Sequence, residues 1–164
     1  MEHKRNAHCS WCGAAFIESA AWPRTCGQCQ NTSYLNPLPV AVALVPVGEG
    51  LLAIRRGIPP RLGAVALPGG FIELNESWQQ AAAREVFEET QLVLDPASFR
   101  VFDVCSAPDG TVLIFGLTDP LESATLSAFT PTAETSERLV VADRMELAFP
   151  LHTRVAWRWM DGRA

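Results

Sequence analysis

Long apolar segments are absent from this sequence of 164 residues. The longest uninterrupted apolar run, 40–45, is far shorter than the roughly 20 residues that a membrane-spanning helix needs. The first residues, 1–6, carry charge but no apolar stretch of the kind found in secretory leaders. We therefore expect a cytoplasmic protein that has no membrane partner.

Basic residues are in the minority, because 13 Lys and Arg stand against 18 Asp and Glu, for a formal net charge of −5. A surface that binds nucleic acid or anionic lipid non-specifically needs many Lys and Arg side chains. The charge balance therefore disfavours nucleic acid as a partner. Charged residues make up 19% of the chain and hydrophobic residues 48%, which excludes intrinsic disorder and indicates a folded core.

The cysteine pattern is not typical of a disulfide scaffold, since the total of five is odd and we expect no secretory leader from the first residues. Four of them form two CxxC pairs, Cys9 with Cys12 and Cys26 with Cys29, a spacing typical of tetrahedral zinc sites. Such a zinc ion would be structural, because four thiolates leave no open position. A redox-active pair or partial disulfides are the alternatives. Cys105 lies in an apolar stretch and is interpreted as a buried small hydrophobe.

The cysteine pairs also suggest the domain organisation. A segment as short as 1–36 cannot build a stable core alone, and a bound metal can replace that core. We therefore interpret 1–36 as a zinc ribbon, followed by a stiff connector at 36–39 and a larger domain over 37–164. Zinc ribbons bind nucleic acid or protein. The few charges of this one nearly cancel, which favours a protein interface such as a homodimer contact.

The larger domain alternates strands and helices. Ser77 and Gln80 form a capping-box pattern, so a helix is predicted from Ser77 to about Thr90. A closing helix is predicted over 151–160. The predicted strands cover 40–45, 51–55, 92–94, 99–106, 111–118 and 139–141, with a hairpin turn at 108–110.

Three carboxylates stand out on the first of these helices. Glu85, Glu88 and Glu89 have the spacing i, i+3 and i+4, which places them on one face. Like charges at this spacing repel one another and destabilise a helix. A hard divalent cation with oxygen ligands would explain them, and a solvated acidic surface is the alternative.

The three glutamates belong to a longer pattern of mixed residue types, which consists of Gly70, Glu76, Arg84, Glu85, Val86, Glu88, Glu89 and Leu92. This pattern resembles the signature box of the Nudix hydrolases. The flanking segments 67–70 and 147–150 fit the same family. A Nudix subgroup carries an N-terminal zinc ribbon, so the resemblance extends over nearly the whole chain.

This resemblance implies an α/β fold, an α/β/α sandwich with a mixed sheet preceded by a four-cysteine zinc ribbon. It also implies an enzyme that hydrolyses a nucleoside diphosphate linked to another moiety and releases a nucleotide monophosphate. By position, Mg²⁺ or Mn²⁺ would be bound by Glu85, Glu88, Glu89 and the Gly70 carbonyl. Arg84 would orient the glutamates, and Glu76 would support the loop before the helix.

For several residues outside the box, the sequence allows both a functional role and a place at the surface. In this family the base that activates water lies in the box or in a later loop, where Glu137 is the first candidate and Glu134 the second. The alternative is that both glutamates are charged surface residues of a loop with no catalytic role. Arg55 and Arg56 could contact the phosphates, although arginines at strand ends are commonly surface residues. His3, His8 and His152 are expected at the surface.

Two positions depart from the family pattern. Gln91 stands where the family usually has a Gly in the left-handed conformation. A residue other than Gly in that conformation lowers the stability of the fold by roughly 1 kcal/mol. Asn75 replaces a common loop Gly and tolerates left-handed geometry well.

The substrate is only partly indicated by the sequence. The segment 105–110 lacks the aromatic run of NADH pyrophosphatases, which favours ADP-ribose, FAD or a related dinucleotide. A zinc-ribbon regulatory module that binds protein or nucleic acid and merely has a Nudix fold is the alternative.

Overall fold

The computed structural model describes residues 5–17, 19–126 and 128–162. Contacts within the chain define two compact units, Met1–Pro37 and Leu38–Ala164. No helix in the described ranges is both long and apolar enough to span a bilayer. Of the predicted surface histidines, His8 is exposed and His3 lies outside the described residues.

The first unit is organised by its cysteine turns rather than by an apolar core. The amide of Gly13 donates to the Cys9 carbonyl, and the amide of Gln30 donates to the Cys26 carbonyl, both at 3.0 Å. A short antiparallel hairpin pairs β1 (Arg24–Thr25) with β2 (Thr32–Ser33). These turns present the cysteine side chains to one another.

The second unit contains two small sheets and two helices. Its elements are β3 (Leu38–Leu44), β4 (Pro46–Val47), β5 (Gly50–Arg56), β6 (Val65–Ala66), β7 (Gly69–Phe71), α1 (Trp78–Thr90), β8 (Arg100–Ser106), β9 (Thr111–Leu117), β10 (Thr135–Val141) and α2 (Pro150–Asp161). One sheet has the order β7-β3-β9-β8 and is mixed, because β3 and β9 run parallel and the other pairs are antiparallel. The other sheet has the order β10-β5-β4, with β6 paired to β5.

The central strand β3 is buried on both faces, which explains its continuous apolar sequence. Ala41 and Ala43 pack in one core cluster with Ala81, Ala82 and Val86 of α1. Val42 and Leu44 belong to a second cluster, on the opposite face, that includes Val155 and Trp159 of α2. The predicted α/β fold with a mixed sheet is confirmed.

Helix α1 begins and ends as the sequence predicts. The Gln80 amide donates to the Ser77 hydroxyl (3.2 Å), and the Ser77 amide donates to the Gln80 side-chain carbonyl (2.7 Å), which completes a capping box. At the other end Gln91 adopts a left-handed conformation with φ 62°. Its amide still donates to the Phe87 carbonyl and closes the last turn.

Two sequence predictions about secondary structure need correction. The segment 92–94 is not a strand, because no neighbouring strand pairs with it among the described residues, although Leu92 packs inward and Val93 is 82% exposed as in a strand. A 3₁₀ turn over Pro96–Ser98 follows, capped by the Asp95 side chain. The last strand is also longer than predicted, since β10 begins at Thr135.

His152 is buried rather than at the surface, with 6% of its area exposed. Its ring lies between Phe115 (5.7 Å between centroids) and Phe149 (5.1 Å), and its Nδ1 has no hydrogen-bond partner among the residues that the structure describes. Burial, helped by the charge of Arg56, lowers the pKa of His152 to about 3. The side chain is therefore neutral in the folded protein. Cys105 is buried, as predicted.

The buried neutral His152 predicts a specific pH dependence of stability. The unfolded state takes up a proton near pH 6.5, whereas the folded state does not until about pH 3, so stability is lost as the pH falls through this window. Between pH 7 and pH 5 the wild type should lose about 2 kcal/mol more than His152→Gln. Urea unfolding of both proteins at the two pH values measures the difference. Parallel losses would contradict the burial of a neutral imidazole.

Candidate active site

The acidic face of α1 lies against strand β7. The amide of Gly69 donates to Glu89 Oε2 at 2.9 Å. Gly70 has no room for a side chain, since a Cβ there would lie 2.3–2.7 Å from atoms of the Glu85 carboxylate. Glu88 points outward, and 53% of its side chain is exposed. The helix and strand therefore enclose two carboxylates and leave the third at the rim.

Arg84 connects the parts of this site. Its Nη2 and Nε bind the Glu76 carboxylate at 2.7 and 3.2 Å. Its Nη1 lies 2.7 Å from Glu85 and 3.2 Å from Glu88, and its Nη2 also donates to the Phe71 carbonyl at 3.0 Å. Hydrogen bonding from Arg84 lowers the pKa of Glu76, and the carboxylates in turn raise the pKa of Arg84. Strand, loop and helix are thus joined through one guanidinium group.

The enclosed carboxylates are costly to ionise where they stand. Burial raises the pKa of Glu89 to about 8, against the Gly69 hydrogen bond that lowers it, and the charges of Glu85 and Glu134 raise it further. Burial also raises the pKa of Glu85. A cation placed among these oxygens would reverse this cost, because an opposite charge favours the ionised form.

The donor set fits a hard divalent cation, since Glu85, Glu89 and the rim Glu88 offer only oxygen atoms beside the Gly70 backbone. In the described part of the chain these three carboxylates do not converge as the cysteines do, whose ligand atoms all lie within 4.8 Å of one another. Arg84 holds Glu85 and Glu88 from one side.

The two candidate bases lie in different surroundings. Glu137 pairs with Arg55 at 2.7 Å, opposite it in the β10–β5 register, and both side chains are substantially exposed. Glu134 precedes β10, and its carbonyl accepts the Gly57 amide at 2.7 Å. The charge of Glu134 raises the pKa of both Glu85 and Glu89. Glu134 therefore acts electrostatically on both enclosed carboxylates, whereas the carboxylate of Glu137 is engaged by Arg55.

The two arginines at the end of β5 also differ. Arg55 is held by Glu137 and by the Gly63 carbonyl. Arg56 donates from Nε to the Pro60 carbonyl (2.8 Å), and its guanidinium lies 5.3 Å from the centre of the Phe149 ring. Its charge lowers the pKa of Glu89. Of these two arginines, Arg56 is therefore the one whose charge acts on Glu89, while Arg55 belongs to an exposed ion pair with Glu137.

Sequence reasoning missed several residues that support this site. Phe149 was noted only as part of a closing segment, yet its ring lies against Arg56. Arg138 donates to the Thr90 carbonyl at the end of α1 (2.7 Å). The Gln91 side chain binds the backbone of Thr130. Sequence patterns do not reveal these contacts, because they join residues 39 or more positions apart. The departure from the family pattern at Gln91 was the one signal that the sequence offered.

The four paired cysteines form a separate cluster in the first unit. None of the four cysteines is in a disulfide bond. The sulfurs of Cys9 and Cys29 are 3.7 Å apart, and those of Cys12 and Cys26 are 3.6 Å apart. The Trp11 amide points at the Cys9 sulfur (3.4 Å), and this hydrogen bond leads the effects that lower the pKa of Cys9 to about 6. The arrangement fits a tetrahedral thiolate site for zinc.

Comparisons with known proteins agree with this geometry. The chain is 37% identical over 76 residues to an ADP-ribose pyrophosphatase of Methanocaldococcus jannaschii (46% of this chain, 44% of that protein). It is 33% identical over 85 residues to the NAD-capped RNA hydrolase NudC of Edwardsiella ictaluri (51% of this chain, 33% of that protein). The chain thus spans less than half the length of these curated relatives.

Solved structures with a similar fold are also Nudix proteins. A NUDIX hydrolase from Nitrosomonas europaea superposes with a TM-score of 0.79 at 28% identity, over 95% of this chain and 91% of that one. A bifunctional NMN adenylyltransferase/ADP ribose pyrophosphatase from Francisella tularensis, complexed with AMP and a Mn ion, superposes with a TM-score of 0.63 at 25% identity (78% and 42% coverage). The NUDIX domain pattern itself matches residues 37–160. The chain therefore belongs to the NUDIX domain family.

Proposed function

We propose that this chain hydrolyses a nucleoside diphosphate linked to another moiety, with ADP-ribose as the first candidate and FAD or a related dinucleotide next. The products are a nucleotide monophosphate and the phosphate ester of the other moiety. The observation that carries the proposal is the position of Glu85 and Glu89 between α1 and the Gly69–Gly70 backbone. Arg84 forms an ion pair with Glu85 there. The likeness to an ADP-ribose pyrophosphatase supports this substrate class.

We assign Glu85, Glu88, Glu89 and the Gly70 carbonyl as the residues that would hold Mg²⁺ or Mn²⁺. When bound, such a cation neutralises diphosphate oxygens and lowers the pKa of coordinated water. Glu88 stays accessible at the rim, where it can exchange its contact with Arg84 for a ligand. Glu85 and Glu89 are fixed in place before a ligand arrives, which lowers the entropic cost of binding.

The remaining chemistry needs a proton acceptor. Attack of water on one phosphorus forms a new P–O bond, breaks the bridging P–O bond and releases one proton. Glu134 is the proposed acceptor, because its charge already acts on the enclosed carboxylates. Glu137, ranked first from the sequence, now ranks second, since its carboxylate is engaged by Arg55.

Arg56 is the proposed contact for the diphosphate itself. Its guanidinium is oriented by the Pro60 carbonyl and by the Phe149 ring before substrate binds. A fixed guanidinium suits phosphate oxygens because its donors lie in one plane. Arg55 is the weaker candidate, as it is already paired with Glu137.

The cysteine cluster is proposed to hold one structural zinc through Cys9, Cys12, Cys26 and Cys29. Their sulfurs already lie within 4.8 Å of one another, and this unit has little apolar core of its own. We accordingly assign 1–36 as a zinc ribbon and 37–164 as the catalytic domain. The ribbon supports the fold of its own unit and takes no part in the reaction.

A substrate panel tests the proposal. ADP-ribose, FAD, NADH and NAD-capped RNA, each with Mg²⁺ or Mn²⁺, are incubated with the full chain, and monophosphate release is measured by chromatography. ADP-ribose should be cleaved faster than NADH, because 105–110 lacks the aromatic run of NADH pyrophosphatases. Binding of a panel member without any cleavage would instead support a regulatory module.

The first catalytic prediction concerns Glu88→Gln, which keeps the shape of the side chain but removes one charge. Hydrolysis should fall by at least about a hundredfold, since charge stabilisation at the diphosphate supplies several kcal/mol. Turnover of the best panel substrate is the measurement. Glu122→Gln, which removes an exposed charge with no capping contact, should keep normal turnover. Equal rates in both variants would reject the assignment.

The second prediction separates the two candidate bases. Glu134→Gln should lower kcat by about 10²–10⁴-fold, the usual contribution of a general base. Glu137→Gln breaks only an exposed ion pair, so kcat should change little. The two variants are compared at saturating substrate. A large loss in Glu137→Gln with a normal Glu134→Gln would reverse the assignment.

The third prediction concerns the ribbon. Wild-type protein should contain about one zinc per chain, and Cys12→Ser should lose it together with the fold of the first unit. Cys105→Ser, a change in the other unit, should keep the zinc. Elemental analysis and thermal unfolding of the three proteins provide the test. A Cys12→Ser variant that melts normally yet has lost turnover would place the ribbon in the chemistry.

A further inference from the structure

We propose that Gln91 is a positioning residue that clamps the loop 128–134 to the end of α1 and thereby fixes the position of Glu134, the proposed proton acceptor. The proposal rests on the function proposed above. Gln91 stands where the family usually has glycine, which has no side chain that could form such a clamp.

The clamp consists of two hydrogen bonds to one residue. Gln91 Nε2 donates to the Thr130 carbonyl at 2.7 Å, and the Thr130 amide donates to Gln91 Oε1 at 3.1 Å. The side-chain amide therefore pairs with both backbone groups of Thr130, as a neighbouring strand would. Two bonds to the backbone of one residue fix the orientation of the loop as well as its distance from the helix.

The left-handed backbone of Gln91 matters for this contact. Gln91 follows the last helical residue with φ 62°, where the chain turns away from the helix axis. A glycine adopts this conformation with less strain but has no side chain to reach the loop. The chain therefore keeps a strained residue at the end of α1, and the visible gain is the contact with Thr130.

Further contacts carry the restraint along the loop to Glu134. Arg138 donates to the Thr90 carbonyl (2.7 Å), and its guanidinium lies 5.5 Å from the Phe129 ring centre. The Thr132 amide donates to the Thr135 carbonyl (2.9 Å), and the Thr135 amide donates to the Thr132 hydroxyl (3.0 Å).

Glu134 itself lies inside that reciprocal turn. Its carbonyl accepts the Gly57 amide (2.7 Å). The loop is thus restrained on both sides of this glutamate.

The clamp lies at the surface of the unit. Thr130 and Glu134 are both exposed, so the loop at these positions does not pack in the apolar core. The described feature that the loop brings to the site is the carboxylate of Glu134, whose charge acts on Glu85 and Glu89. We therefore expect loss of the clamp to affect proton transfer more than substrate binding.

The test uses Gln91→Gly in two backgrounds. In the wild-type background it should lower kcat about tenfold and leave KM within about twofold, because only the acceptor has lost its position. In the Glu134→Gln background the same change should cause no further loss of kcat, since the residue that it positions is already disabled. Exchange of the Thr135 amide, measured by hydrogen–deuterium exchange, should become faster in Gln91→Gly.

Two results would overturn the proposal: an unchanged kcat in Gln91→Gly, or equal losses of kcat in both backgrounds.

If Gln91→Gly fails to fold, Thr130→Pro replaces it, because it removes the Thr130 donor and leaves the helix end intact. The same outcomes then apply. A wild type that cleaves no panel member rejects the proposed function, whereas an active wild type with an unaffected Gln91→Gly rejects only the clamp.

Discussion

The ion pairs of Arg84 are the interaction on which the candidate site depends. One guanidinium binds Glu76 through two nitrogens, reaches Glu85 and Glu88, and donates to the Phe71 carbonyl. Its two closest carboxylate partners are largely buried, so loss of Arg84 would leave them uncompensated at a cost far above that of a surface pair. The arrangement of the acidic face therefore follows from a single side chain.

Small residues bring the helix close enough for this network to form. Alanines of β3 and α1 meet in the core, and Gly70 leaves space for the Glu85 carboxylate. Close packing of this kind fixes the helix relative to the strand. The fold thus presents two carboxylates to one backbone segment, and the same core keeps water from them. This burial raises the pKa of both Glu85 and Glu89.

The sequence was sufficient for the features that depend on local chemistry. The capping box at Ser77, the left-handed Gln91, the long helix and the mixed α/β fold were all predicted and are confirmed. The features that it could not supply join distant residues. Burial of His152 depends on rings contributed by β9 and by the start of α2, and the Gln91 clamp joins positions 39 residues apart. Neither leaves a periodic pattern in the chain.

The most direct test of the account is a chelation experiment on the intact chain, because the two proposed metal sites differ in ligand chemistry. Brief EDTA treatment should abolish monophosphate release from ADP-ribose, since all-oxygen sites exchange their metal readily. Added Mg²⁺ or Mn²⁺ should restore it, while zinc measured in the same samples stays constant. Full activity after chelation, or activity that returns only with zinc, would contradict an oxygen-ligated centre organised by Arg84.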